Sequence, residues 1–349
     1  MGALEEEAGV PPLAPAAAGG ASAMAPEELA CATAAAAGRV LVVAGTHGNE
    51  INAPWLLDCW QRHPQSAPRT PLRVEWRLGN PAARAAGRRY LERDLNRSFD
   101  PTLLRATEPV PLEVERARQL LSDCGPTGST PCLVAFDLHS TTAAMGNSLV
   151  VYGRRPADLA LAAAVQADLG LPVYLHEADP RQTGYLVERW PCGLVIEVGP
   201  VPQGVLAPAI LRQTRLALES ALTALEHAAR GRLRLPRELV VHRHLGSLDL
   251  PRTPDGLPSA VLHPDLLGRD WQPLRQGDPL FLAEEGTVLP FALPIGIKAS
   301  RVWPVFINEA AYGEKGIALS LTNREAWAVE KAWAESLGVL AQRLECVPA

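Results

Sequence analysis

Apolar and polar positions keep two rhythms along the first two thirds of the chain. Near-continuous apolar runs at Arg39–Ala44, Leu133–Leu138 and Leu194–Val198 predict buried strands, and Leu72–Leu78 alternates as a half-buried strand does. Ser148–Tyr152 and Val173–Leu175 add two shorter strands. Between them, helical periodicity covers Ile51–Arg62, with Asn49 as its N-cap, Leu112–Asp123, Ala-rich Pro156–Leu169 and long Pro208–Arg230. Pro81–Leu95 reads as a charged helix or helical turn. Strands alternating with helices to about residue 230 predict a mainly parallel α/β sheet. After Leu235 the rhythm changes. Strand-like runs at Leu239–His244, Pro279–Leu282 and Val302–Phe306 are separated by Pro and Gly, and helical spacing returns only over Arg324–Leu344. A boundary therefore falls near Arg232–Pro236, with a smaller, β-rich unit beyond it. Residues 1–37 lack bulky apolar side chains, which predicts a disordered, low-complexity extension and makes Met24 an alternative start.

Composition narrows the classes. Of 349 residues, 47% are hydrophobic and 20% charged, as in a soluble globular protein. A net charge of −5 offers no basic footprint for nucleic acid. No apolar run is long enough for a membrane span, and the acidic start Met1–Glu7 does not resemble a secretory signal, so a cytoplasmic location is expected. The six cysteines are scattered without a Cys-x-x-Cys pair, which predicts free thiols.

Three strand ends carry candidate chemistry. After the first strand comes Gly45-Thr-His-Gly-Asn-Glu50, in which His47 and Glu50 offer two donors suited to zinc at the carboxyl end of a strand. Taken alone, the spacing also arises by chance. In Asp137-Leu-His139, the aspartate and the histidine share one strand face, so Asp137 could orient a ligand imidazole; a solvent-facing strand end reads the same way. Glu197 interrupts the aliphatic run of Leu194–Val198, where burial would raise its pKa and suit it to general base catalysis, unless the strand is an exposed edge. The run Arg88–Arg97 is dense in guanidinium, which suits carboxylate binding or a solvated helix face.

Together with Asn80-Pro81, Arg89-Tyr90, Asp94-Leu-Asn-Arg97, Asp137-Leu-His-Ser-Thr-Thr142, Met145-Gly146, Glu197-Val-Gly-Pro200, Pro202-Gln-Gly-Val-Leu206, His263-Pro264, Gly277-Asp-Pro279 and Pro304-Val-Phe-Ile-Asn-Glu-Ala-Ala-Tyr312, these motifs make the chain resemble the aspartoacylase/succinylglutamate desuccinylase family of zinc amidohydrolases, on its aspartoacylase branch, from about Gly38 to Thr322. The resemblance implies a zinc-carboxypeptidase-like α/β fold: a mixed sheet flanked by helices over residues 38–232, and a β-rich domain over 233–349 covering the site entrance. It implies one zinc ion per subunit on His47, Glu50 and His139, and Glu197 as the catalytic carboxylate. Arg89, Asn96, Arg97 and Tyr312 match family positions that bind substrate or stabilise the tetrahedral intermediate. The chain departs from the pattern in one place. Aspartoacylases that prefer N-acetyl-aspartate carry an arginine where alignment on Trp190-Pro191 puts Tyr185, with Arg181 and Arg189 nearby.

The expected activity is hydrolysis of N-acyl amino acids, N-acetyl-L-aspartate first, with Glu197 carrying the proton and Arg89 stabilising the oxyanion. The alternatives are an aminoacylase acting on N-acetyl aromatic or other amino acids, a carboxypeptidase, and a zinc-binding protein without turnover. The expected partner is a small-molecule substrate, with no nucleic acid and no membrane, and a homo-oligomer is left open.

Overall fold

Along Arg39–Ala44 the residues from Val40 onward alternate between two apolar cores: Val40, Val42 and Ala44 face one, Leu41 and Val43 the other. A strand buried on both faces must lie inside a sheet covered by helices, and the computed structural model shows this. It describes residues 37–346 except 108, 178, 180, 181, 295 and 298. The expected N-terminal extension up to residue 36, Met24 and Arg181 lie outside the described residues.

In chain order the strands are β1 (Arg39–Ala44), β2 (Val74–Leu78), β3 (Cys132–Ser140), β4 (Gly146–Tyr152), β5 (Val173–His176), β6 (Cys192–Gly199), β7 (Glu238–Asp249), β8 (Ala260–Leu262), β9 (Leu274–Arg275), β10 (Pro279–Ala283), β11 (Val288–Pro290), β12 (Arg301–Val305) and β13 (Ile317–Ala328). The longer helices are α1 (Asn52–Arg62), α2 (Leu112–Cys124), α3 (Pro156–Leu169), α4 (Pro208–Ala229) and α5 (Lys331–Ala341). One mixed sheet runs β2-β1-β3-β6-β4-β5-β7-β13-β12-β9. Its β2, β1, β3 and β6 are mutually parallel, β4 is antiparallel to β6, and β5 and β7 run parallel to β4. A second sheet, β11-β10-β8, has its own core with Leu262, Phe281, Val302, Leu319 and Leu321.

Helices α1, α3, α4 and α5 bury Trp60, Leu161, Leu218 and Leu337 on one face of the main sheet. Helix α2 covers the other face with Ala117 and Leu120, beside Phe99 and Trp190.

Several expectations are corrected. Asn49 does not cap α1: the N-cap is Ile51, without a side-chain bond, and the Asn49 amide donates to Gln203 instead. The helix from Pro81 stops at Ala85, and Gly87, at φ +61°, turns the chain so that residues 88–97 wrap the site as turns and a short 3-10 segment, Leu95–Arg97. Helix does not begin at Arg324. Residues 324–328 extend β13, where Arg324 pairs with His242 and Ala328 with Glu238 of β7. Pairing along a neighbouring strand overrides the helical preference of an Ala-containing segment. The expected boundary lies in the loop between α4 and β7, yet β7 hydrogen-bonds β5 of the main sheet and α5 returns to the main core.

Candidate active site

The turn after β1 is pressed between two helical segments. Gly45 has φ +72°, and a Cβ on Gly48 would stand 2.2 Å from the Ala83 carbonyl carbon, so neither position accepts a side chain. This packing swings His47 and Glu50 toward the end of β3, the parallel neighbour of β1, which carries His139.

The Glu50 carboxylate lies between the two imidazoles. Its Oε1 is 2.6 Å from His47 Nδ1 and its Oε2 is 3.0 Å from His139 Nδ1, while the Ser140 amide donates to Oε2 at 3.0 Å. The outer nitrogens are held by other carboxylates: His47 Nε2 is 3.0 Å from Asp94 Oδ1, and His139 Nε2 is 2.8 Å from Asp137 Oδ2. The Thr46 hydroxyl donates to Asp137 Oδ1 at 2.6 Å. All three candidate ligands are buried. One donor atom from each of His47, Glu50 and His139 lies within 4.8 Å of the others. Two imidazole nitrogens and a carboxylate, each imidazole oriented through its far nitrogen, fit a divalent metal with an open coordination position.

Glu197 stands in register with His139 on β6, an interior strand between β3 and β4. It is half-buried. Burial, with Glu50 and Glu309 nearby, pushes its carboxyl well above the usual range. Arg89 crosses the first group: Nη1 donates to Glu50 Oε1 at 3.2 Å and Nη2 to Asp94 Oδ2 at 3.3 Å, with Nη2 also 2.8 Å from His47 Nε2. Arg97 donates to the Asn96 carbonyl at 2.7 Å and to Gln182 Oε1 at 3.1 Å, and its guanidinium lies 4.1 Å over the Tyr185 ring. The Asn96 Oδ1 is engaged by the Leu186 amide.

One cavity brings the parts together. His47, Glu50, His139, Glu197, Arg89, Asn96, Arg97 and Tyr312 all line it. Of the segment expected to set specificity, Gln182 and Tyr185 line the cavity and Arg189 does not.

Two residues gained roles that the sequence reading did not give them. Asp94 orients His47, as described. Glu309 accepts hydrogen bonds at Oε2 from the Thr141 hydroxyl, from the Thr142 amide at 2.8 Å and hydroxyl at 3.0 Å, and from the Ala143 amide at 3.1 Å. It thereby docks the segment bearing Tyr312 onto the loop after β3. Both residues sit inside quoted motifs, which was the available signal.

A family model described as the succinylglutamate desuccinylase/aspartoacylase catalytic domain matches residues 36–225, and one described as the AstE/AspA barrel-sandwich hybrid domain matches 237–324. A protein named "Probable aspartoacylase" from Prochlorococcus marinus (strain MIT 9313) is 57% identical over 311 residues, spanning 88% of this chain and 99% of that protein. One of the same name from Synechococcus sp. (strain CC9605) is 58% identical over 299 residues, 84% of this chain and 95% of that one. The crystal structure of murine aminoacylase 3 matches with a TM-score of 0.75 at 36% identity, over 84% of this chain and 98% of the murine one. With the catalytic-domain match running over more than half of its length, and with relatives this similar along nearly all of theirs, the chain belongs to the succinylglutamate desuccinylase/aspartoacylase family and is an amidohydrolase.

Proposed function

We propose that the protein is a zinc-dependent hydrolase of N-acyl amino acids, with N-acetyl-L-aspartate as its first substrate, yielding L-aspartate and acetate in the cytoplasm. The observation that carries this is the meeting of the His47–Glu50–His139 donor set, Glu197 and Arg89 in one cavity. The relatives named as aspartoacylases support the choice of substrate.

His47 and His139 through Nδ1, and Glu50 through its carboxylate, would hold zinc, which polarises an acyl carbonyl and acidifies water when bound. Glu197 takes the proton of water as its oxygen attacks the acyl carbon, then returns that proton to the nitrogen as the C–N bond breaks. Arg89 faces the negative charge that develops on the acyl oxygen. Arg97 and Asn96 hold the substrate α-carboxylate, with Tyr312 beside them, and a planar guanidinium suits that group. We also propose residues 38–232 as the catalytic unit and those from 233 on as the unit narrowing its entrance.

One observation favours a second reading, N-acetyl aromatic amino acids. Tyr152, Tyr174, Tyr185 and Phe306 line the cavity, and Arg97 and Arg89 are its arginines among the described residues. Acetate release from a panel of N-acetyl amino acids, with zinc measured on the same sample, distinguishes the two. Highest kcat/KM on acetyl-aspartate supports the first reading; highest on acetyl-phenylalanine replaces it with the second. His47→Ala or His139→Ala should each remove one equivalent of zinc together with activity, since three ligands hold it. Full zinc content in either variant would take that residue out of the site.

A further inference from the structure

The architecture of the first centre recurs once more in the same sheet. His176 ends β5, and Asp179 follows it by three residues, as Glu50 follows His47 after β1. His244 stands on β7, the parallel neighbour of β5, as His139 stands on β3 beside β1. Leu175 pairs with Arg243, so the two histidines come level, with ring centroids 4.8 Å apart.

The donor atoms converge. One from each of His176, Asp179 and His244 lies within 4.8 Å of the other two. His176 and His244 are 5% and 6% exposed, and the Nε2 of each makes no hydrogen bond among the described residues. A buried imidazole nitrogen left this way loses its water without replacement, which is uncommon in folded proteins. The Asp179 carboxylate stands 3.7 Å from His244 Nε2, too far for a hydrogen bond. On its other side, His244 Nδ1 is 2.9 Å from the Tyr174 hydroxyl, an outer contact that orients the ring as Asp94 orients His47.

We propose that His176, Asp179 and His244 form a second site for a divalent cation of the zinc class, set in the cavity wall that His176 lines. Two imidazoles and a carboxylate are borderline donors that suit zinc and its neighbours better than calcium or magnesium. Tetrahedral coordination at about 2.1 Å needs donors about 3.4 Å apart, so binding draws the three side chains inward. With three protein ligands the ion keeps a position for water or a substrate carboxylate oxygen, at a wall otherwise built from Tyr152, Tyr174 and Tyr185. The proposal does not rest on the reaction assigned above.

The test is metal stoichiometry on the full chain, stripped with chelator and dialysed against micromolar free zinc. The parent should hold two equivalents. His176→Ala, His244→Ala and Asp179→Asn should each hold one, as should His47→Ala, which lacks the other site. Cobalt titration adds a spectroscopic readout: the parent should give d–d absorption through a second equivalent, and His244→Ala should stop at one. Thermal melts identify a misfolded variant, in which case Asp179→Asn, which keeps side-chain size, decides. Saturation of the parent at one equivalent overturns the proposal, and so does parental stoichiometry in well-folded His176→Ala and Asp179→Asn. Loss of an equivalent in His47→Ala with none lost in the other three refutes this site and leaves the hydrolase reading standing; the converse pattern does the reverse.

Discussion

Glu197 sits beside a candidate ligand, on an interior strand, with its proton affinity raised by burial. Glu197→Gln keeps the shape and cannot accept a proton. It should keep zinc and lose about 10²–10⁴-fold in kcat, the usual worth of a general base; turnover within a few-fold of the parent would remove Glu197 from that role. A second residue bears on stability. His242 is buried edge-on against Trp271, and burial, helped by Arg324, lowers it from 6.5 to about 4. Between those values the unfolded chain binds a proton that the folded chain refuses. Stability is therefore complete above pH 6.5 and falls as pH drops toward 4, by up to about 3 kcal/mol from this group. Urea unfolding from pH 7 to 4.5 should show a shallower decline in His242→Gln than in the parent, and equal slopes would contradict the assignment. At this scale legibility follows sequence distance. His47, Glu50, His139 and Glu197 are conspicuous because each puts a polar group at the end of, or inside, an apolar run. Asp94 and Glu309 act on partners 47 and 168 residues away, so the motifs that contain them mark the residues without showing what they hold. The His176–Asp179–His244 cluster was missed for the same reason, because the pairing of β5 with β7 creates it.

Elements were legible where their own sequence decides them. Arg39–Ala44 and Pro156–Leu169 have the ends their patterns predict, the helix being opened by Pro156 and closed by Gly170 at φ +68°. They were illegible where a neighbour decides. Residues 324–328 are strand because β7 lies alongside, with Arg243 bonded to Glu325 at 2.8 Å, and residues 86–94 leave the helix to bring Arg89 onto Glu50 and Asp94. The segment around the short helix Ala310–Gly313 is a third such case. Phe306 and Asn308 adopt φ of 53° and 56°, unfavourable for side chains with a Cβ, and the Glu309 bonds hold the turn against that cost. Glu309→Ala leaves the Thr142 and Ala143 amides without their acceptor and should cost about 2–4 kcal/mol. Because Tyr312 lines the cavity, KM should rise as well. Denaturant unfolding and substrate titration check the two effects, and a loss below 1 kcal/mol with unchanged KM would mean that the clamp is dispensable.

For the whole molecule, the question is whether the two matched regions are separable bodies. Two family models divide the chain at 225–237, yet the last helix lies beyond both, and its side chains Trp333, Leu337 and Ala341 enter the core of the first region. Strands β7 and β13 pair from end to end with two register shifts, and β7 also pairs with β5, so the sheet continues from one region into the other. The C-terminal end adds a further tie, where Gly38 donates to the Arg343 carbonyl at 2.9 Å and Glu345 to the Gly38 carbonyl at 2.8 Å. A catalytic region cut off after residue 232 would expose the edge of β5 and the apolar surface that α5 covers, an invitation to aggregation. The prediction is that such a fragment does not fold, and that the full chain unfolds in one transition seen alike by tryptophan fluorescence and far-ultraviolet circular dichroism. Leu337 is fully buried, and Leu337→Ala should cost about 2–5 kcal/mol and shift both probes together. Separate midpoints in the parent, or a Leu337→Ala effect confined to one probe, would show two independently stable bodies. Coincident shifts would mean that residues 237–324 belong to the same cooperative unit that holds Glu50 between His47 and His139.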